Sequence, residues 1–381
     1  MLGGSDVSRP RILIDGRLLA YRRGGIQRYV QGLASALARL EPAFDIRLVQ
    51  NRPFGSPLPV IRVLTPPHHR WERRTLGLEL ALRRPAVVHS PDFIPPRLPR
   101  HMRSIVTVHD LAFLDHPQLL TAEAERYYSQ LADALTGADR IIAVSRWTAG
   151  RLQYYFPALA ERVRVVHNGV DDCFFASPAA DPWQTIAEAT GQKLSARLRN
   201  RGFLLAVGTV EPRKRYSLLL AVLDRLWERH PESAPMLVVV GQPGWRHNDA
   251  ASRLQAAVRQ HRAVWLNDAD DRALRALYAA ATLLVVPSLD EGFCLPAAEA
   301  MACGLPVLAA ERGALPEILG EAGHLIGSDC PDDWAEEIMQ LMSDNLRRRM
   351  LAECGRAHAQ RFRWEKTARQ TLALYREVLE R

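Results

Sequence analysis

A chain of 381 residues with 48% apolar content can bury two or three full-sized cores, which excludes a disordered or fibrous protein. The formal charge of +8 would suit an anionic partner, yet the 50 basic residues are spread along the chain without an RNA- or DNA-binding signature, which argues against nucleic acid. The five cysteines, at 173, 294, 303, 330 and 354, form no C-x2-C pair and so point to reduced thiols rather than a disulfide framework or a zinc site. No apolar run approaches the ~20 residues of a membrane span, and Met1 to Pro10 has no signal-peptide core. The expectation is a cytoplasmic protein, soluble or peripherally bound.

Arg11 to Asp15 reads as a first strand and Ile26 to Leu40 as an amphipathic helix, with the glycine loop Tyr21-Arg-Arg-Gly24-Gly25 between them. The loop lacks G-x-G-x-x-G, so a dinucleotide fingerprint is not supported. Asp45 to Gln50 reads as a second strand, and Arg52 to His69 is proline-rich and irregular. A basic helix is then predicted over residues 71–84. At about 100° per residue, Trp71, Thr75, Leu78 and Leu82 share one face, with Arg73 and Arg84 nearly opposite. Such a helix either packs on the protein surface or rests on anionic lipid.

Val87 to Ser90 and Ser104 to Val108 read as further strands, the second running into His109-Asp110. A histidine at the carboxyl end of a parallel strand faces the crevice where open α/β sheets bind ligands, although one that merely caps the strand would look the same. Arg140 to Ser145 and Val163 to Val166 complete a first sheet, and Asp181 to Arg201 is a polar helical excursion. The boundary falls between residues 170 and 200, giving domains of residues 1–180 and 181–361.

The second domain alternates apolar runs with helical patterns. The runs are Phe203–Val207, Met236–Val240, Val264–Leu266, Thr282–Val286 and Leu305–Ala309, which predicts a parallel, doubly wound sheet. Its first turn, Gly208-Thr-Val-Glu-Pro-Arg213-Lys214-Arg215, sets cations at a strand's carboxyl end, where they suit phosphate. Asp268-Ala269-Asp270 matches a D-x-D metal motif, but it directly precedes a helical run, and aspartate is a favoured N-cap. The reading is a cap, with no metal site.

The richest stretch is Leu283 to Pro306. A buried strand ends at Pro287-Ser288, the acidic loop Asp290-Glu291-Gly292 follows, and a helix begins at Leu295-Pro296. Backbone N–H groups and the positive end of a helix dipole then form an anion site. Glu291 and Glu299 flank it as acceptors for hydroxyls, which suits a nucleotide sugar.

The pattern Glu291-x7-Glu299, followed by AMACGLPV and GALPEILGEAGHLI, resembles the retaining nucleotide-sugar glycosyltransferases of family four, and the resemblance runs through the whole chain. It implies the GT-B architecture of two Rossmann-like doubly wound domains that close over a donor. Residues 362–381 would then form a C-terminal helix crossing back onto the first domain, which would bind the acceptor. The resemblance also implies site residues. His109 would sit beside the transferred sugar and donate a hydrogen bond to it, and the Gly24-Gly25 loop would approach the donor diphosphate. Arg213 and Lys214 would bind that diphosphate, with Gly292, Phe293, Cys294 and Leu295 lining the donor at the helix start. Glu291 would hold sugar hydroxyls and Glu299 the ribose. This sequence departs from the family at Gln27, Arg215 and Cys294, the last standing where glycine is usual, so less freedom for positive φ is expected there.

The implied activity is front-face transfer with retention of configuration, assisted by the leaving phosphate, with neither metal nor other cofactor. The G-T-V-E-P-R-K turn looks most like bacterial mannosyltransferases of surface-polysaccharide (O-antigen) assembly, which favours GDP-mannose and a saccharide or lipid-linked saccharide acceptor. UDP-sugars stay open as donors, as do a hydrolase or phosphorylase of similar architecture and a nonenzymatic nucleotide-sugar sensor. The expected location is the cytoplasm, with peripheral contact at the inner face of an anionic membrane as an option.

Overall fold

The computed structural model describes residues 9–21, 24–40, 43–177, 181–244 and 249–381. The chain divides into two compact units, one of Met1–Gly169 with Phe362–Arg381 and one of Val170–Arg361.

The first unit holds strands β1 (Arg11–Asp15), β2 (Asp45–Gln50), β3 (Val60–Arg62), β4 (Val87–Ser90), β5 (Arg103–Val108), β6 (Arg140–Ala143) and β7 (Val163–Val165). They pair in the order β3-β2-β1-β4-β5-β6-β7, all parallel. The second unit holds β8 (Phe203–Val207), β9 (Met236–Val240), β10 (Ala263–Leu266), β11 (Leu283–Val286), β12 (Val307–Ala310) and β13 (His324–Ile326), ordered β10-β9-β8-β11-β12-β13 and again parallel. Central strands such as β9 and β11 are buried along their whole length, as unbroken Leu and Val runs require when helices cover both faces of a sheet. In each sheet the order reverses beside the first strand, so β1 with β4, and β8 with β11, frame a switch point at their carboxyl ends.

Three expectations need correction. The stretch from Arg52 to His69, read as irregular, contains β3, an edge strand of three residues that follows Pro59 and is too short to show alternation. The unit boundary falls after Gly169 rather than after residue 180. The reason lies in the short helix Asp172–Phe175: Phe174 is fully buried with its ring 5.9 Å from that of Tyr278, and its carbonyl accepts from Cys303 Sγ at 3.4 Å. The polar excursion follows as two helices, Pro182–Thr190 and Gln192–Arg201, hinged at Gly191.

The third correction concerns the basic helix, which spans Glu72–Ala81. It is seated through Leu76 and Leu80, which join Leu13, Val49, Val63 and Val88 in one apolar cluster. Gly77 allows the close approach of the Arg97 carbonyl, which a Cβ at this position would meet at 2.1 Å. The face carrying Trp71, Thr75, Leu78 and Leu82 therefore points outward, and Arg73 turns inward to Asp133 at 2.6 Å and the Pro95 carbonyl at 3.2 Å. The last helix, Trp364–Leu379, completes the first unit's core: Trp364, Ala368, Leu372, Tyr375 and Val378 pack with Tyr29, Leu33 and Leu37 of helix Gly25–Arg39.

Candidate active site

In the second unit, the turn after β8 and the loop after β11 meet because their strands are neighbours. A single 3₁₀ turn, Pro212–Lys214, presents Arg213 and Lys214, and Arg215 takes a left-handed φ of 51° before helix Tyr216–Arg229 begins. Across from it, Glu291 is 4% exposed, and both of its carboxylate oxygens meet donors. Its Oε1 accepts from Lys214 Nζ at 2.6 Å and from Ser288 Oγ at 2.6 Å, while Oε2 lies 3.4 Å from Arg213 Nη1. Arg213 also donates to the Asp290 carbonyl at 2.9 Å and to Glu211 Oε1 at 3.2 Å. Burial pushes the Glu291 carboxyl up, but the charges of Lys214 and Arg213 and the Lys214 and Ser288 hydrogen bonds outweigh it and hold the group below its usual value. Glu291 is thus a carboxylate seated on the two cations.

Gly313 holds this loop in place from a third strand end. With φ +60, it lies where a Cβ would come within 2.6 Å of both Asp290 Oδ1 and the Glu291 nitrogen, and the next residue, Ala314, donates its N–H to the Glu291 carbonyl at 2.8 Å. Sequence reasoning assigned no role to Gly313, Ser288 or Glu211. Glu211 stands within the quoted turn, whereas Gly313 needs the β11–β12 pairing to come near Glu291.

Helix Leu295–Cys303 starts where the loop ends, and Gly292, Phe293, Cys294 and Leu295 are all buried at its entrance. Cys294 takes φ 70° despite its side chain, so the left-handed conformation expected of glycine is kept, under strain. Burial and the nearby Glu291 charge push its thiol up to about 12, so it stays neutral. One turn on, Glu299 is 3% exposed and accepts from Tyr278 Oη at 3.0 Å, a partner the sequence did not indicate. Asp270 caps helix Asp271–Ala280 by accepting from the Ala273 N–H at 2.7 Å. No group of three or more His, Cys, Asp or Glu able to hold a metal occurs among the described residues.

In the first unit, His109 follows β5 and is half-buried, its ring edge-on to Tyr29 at 5.0 Å. Burial lowers its pKa despite the Pro91 carbonyl and the charges of Asp92 and Asp110. Its Nε2 lies 2.8 Å from the Pro91 carbonyl, which can only accept, so Nε2 carries the proton and Nδ1 of the neutral ring is an acceptor. The resemblance implies donation to the sugar, whereas in this conformation the ring nitrogen left over, Nδ1, can only accept. Gly25 opens helix Gly25–Arg39, and Gly24 precedes it in an extended conformation. A Cβ on either would meet no atom within 4 Å, so packing among the described residues does not explain glycine there. Arg22 and Arg23 of this loop lie outside the described residues.

Residues 193–358 match the family described as Glycosyl transferases group 1, and residues 23–173 match Glycosyltransferase Family 4. The chain is 28% identical over 316 residues to the O-antigen chain mannosyltransferase B of Escherichia coli, covering 83% of this chain and 78% of that one. It is 33% identical over 288 residues to the D-inositol 3-phosphate glycosyltransferase of Salinispora tropica, covering 72% of this chain and 58% of that protein. Among solved structures, Anabaena HepE in complex with UDP-glucose is similar with a TM-score of 0.75 at 17% identity, covering 97% of this chain and 99% of that chain, a likeness of fold. With a parallel, doubly wound sheet in each unit and both families matched along the chain, the protein belongs to the GT-B glycosyltransferases of family 4 and group 1.

Proposed function

We propose that the protein transfers mannose from GDP-mannose, with retention of configuration, onto a saccharide or lipid-linked saccharide acceptor in polysaccharide biosynthesis. The observation that carries the donor reading is the cluster of Lys214, Arg213 and Glu291 at the carboxyl ends of β8 and β11, beside the N-terminus of helix Leu295–Cys303. Lys214 gives one of its three N–H donors to Glu291, and no other acceptor is found for it among the described residues, so it can serve a phosphate without leaving the carboxylate.

In the proposed reaction, the bond between the anomeric carbon and the diphosphate oxygen breaks as the acceptor hydroxyl bonds to the same face of that carbon. The acceptor's proton passes to the departing phosphate oxygen. Lys214, Arg213 and the amides at the helix start stabilise the growing charge on the diphosphate, which requires no metal in this reading. Glu291 accepts hydrogen bonds from sugar hydroxyls, with its charge kept by the two cations, and Glu299 accepts from the ribose. In the first unit, His109 accepts from a sugar hydroxyl and the Gly24-Gly25 turn admits phosphate.

The mannosyl reading is supported by the Escherichia coli relative. A UDP-sugar donor is the second reading, favoured by the UDP-glucose held by HepE. The experiment is nucleotide release by purified protein from a panel of GDP- and UDP-sugars, with and without lipid-linked saccharide. The expected result is GDP release from GDP-mannose that depends on acceptor. Release from UDP-sugars alone would replace the donor, acceptor-independent release would indicate a hydrolase, and binding without turnover a sensor.

A further inference from the structure

Asp92, just past the carboxyl end of β4, is where segments far apart in the chain meet. Its Oδ2 accepts from His68 Nε2 at 3.0 Å and lies 3.4 Å from the Tyr127 hydroxyl, while Oδ1 accepts from the Phe93 N–H at 2.8 Å. His68 comes from the loop before helix Glu72–Ala81, and Tyr127 from helix Ala122–Tyr128. The loop is held in a strained conformation: His68 takes φ 59°, and its backbone N–H donates to Glu72 Oε2 at 2.7 Å. Side chains fixed in the left-handed region gather at ligand sites, where the surroundings hold them. Here the strain sets the imidazole against the carboxylate, with the Tyr127 ring 4.9 Å from that of His68. Burial pushes the Asp92 carboxyl up, but the hydrogen bond and charge of His68 outweigh it and keep the group ionised.

A carboxylate offers about four lone-pair sites, and these contacts leave one of them, on Oδ1, open. Beside it Ser90 is 3% exposed, and its Oγ has no hydrogen-bond partner among the described residues. Ser90 and Asp92 line one cavity of about 10 Å³, room for a single hydroxyl or water. The donors of Arg17, on the far wall, are already taken by Asp15, Glu72 and two carbonyls. A hydroxyl fits what is left, because it can donate to Asp92 and accept from Ser90. An anion would meet Asp15, Glu72 and Asp92, and an apolar group would leave Ser90 unsatisfied. The adjoining residue, Pro91, supplies the carbonyl that orients His109, so both groups stand on the same edge of the sheet.

We propose that Asp92 and Ser90 bind a hydroxyl of the saccharide acceptor, with His68 and Tyr127 as positioning residues for Asp92. This rests on the glycosyl-transfer reading; the four residues orient the hydroxyl, and its proton still passes to the departing phosphate oxygen. The full-length protein is assayed with saturating donor from the nucleotide-release panel while the lipid-linked saccharide is varied. Asp92→Asn should lower kcat/KM for the acceptor about 10- to 100-fold, the value of one hydrogen bond to a charged group. Nucleotide diphosphate affinity in calorimetry should stay as it was. Ser90→Ala removes a hydroxyl that has no partner in the fold, so it should raise the acceptor KM about 2- to 10-fold with the thermal midpoint unchanged. It keeps the test valid if Asp92→Asn is destabilised. His68→Ala should raise the acceptor KM and His68→Gln, still a donor, should recover part of the loss, with the donor KM moving in neither. Unchanged acceptor kinetics in Ser90→Ala or in a folded Asp92→Asn, or equal losses of acceptor and nucleotide affinity, would overturn the proposal. A parent chain with no acceptor-dependent release would overturn the transfer reading and this proposal with it, a result seen before any variant is compared.

Discussion

Each unit carries a cluster of paired ions at the carboxyl end of its sheet, and the two are built for opposite ends. In the first, Arg17 is 3% exposed and each of its five N–H donors has an acceptor: Asp15 twice, Glu72, and the carbonyls of Thr65 and Pro66. The cavity left beside Asp15, Arg17 and Ser90 is about 10 Å³, the size of one water. In the second, Lys214 and Arg213 stay partly open to solvent while both touch the buried Glu291. The carboxylates respond oppositely. Burial raises Glu72, because the one charge of Arg17 is shared with Asp15 and Asp15 itself adds to the rise, whereas two cations pull Glu291 down. A cluster whose donors are all consumed holds the fold, and one that keeps a donor in reserve can bind.

The contrast is broken most severely at Arg17. Arg17→Met should destabilise the protein by about 3–5 kcal/mol, since it strands the buried Glu72 and the part-buried Asp15, and chemical denaturation would read it. A loss below about 1 kcal/mol would mean the cluster is not sealed.

In the second cluster the largest expected effect falls on turnover. Glu291→Gln should lower donor turnover about 100-fold by weakening the bonds to sugar hydroxyls. It should leave free nucleotide diphosphate bound at least as tightly as before, because a negative charge facing Lys214 and Arg213 is gone. Glu299→Gln should weaken free nucleotide and intact donor by a similar factor. Calorimetry paired with kinetics separates the two, and equal losses in both variants would exclude the division of roles.

Lys214→Ala should weaken nucleotide diphosphate by about 10- to 100-fold, the value of one charge-assisted contact. Calorimetry with the free nucleotide diphosphate measures this directly, and unchanged affinity would remove Lys214 from the phosphate site.

The smallest effect is one of pH. The folded-state pKa of Glu291 lies below its unfolded value near 4.5, so its contribution is present above that value and lost as pH falls through the folded one. Glu72 is raised above the same value, so its contribution is present below it and lost as pH rises through the folded one. Glu291→Gln should therefore flatten the acid limb of the stability curve and Glu72→Gln should steepen it, each by at most about 1.4 kcal/mol per pH unit. Thermal midpoints across the acid range would show the signs, and slopes moving in the same direction would contradict the comparison.

The sequence by itself determined the two parallel sheets and the place of Arg213, Lys214, Glu291 and Glu299. Buried strands are short Leu and Val runs stopped by proline or glycine, and in a parallel sheet the residues just past each run lie at the ligand edge by geometry alone. The Asp270 cap was legible for a similar reason, since a cap is a contact over three residues. Only the tertiary structure decided that Lys214 and Arg213 seat Glu291, a contact 77 residues apart for Lys214, and that Gly313 packs on the loop. It alone revealed the sealed Arg17–Glu72 pair, 55 residues apart, and the proton on His109 Nε2. The helix over Trp71 to Leu82 shows the limit most plainly. Its periodicity defined two candidate faces, but which one is buried was set by Leu76, Leu80 and Gly77 meeting β1, β2, β4 and the Arg97 carbonyl. Helical period is a local property of the chain, whereas burial is a relation between distant segments, and only the folded chain supplies the second.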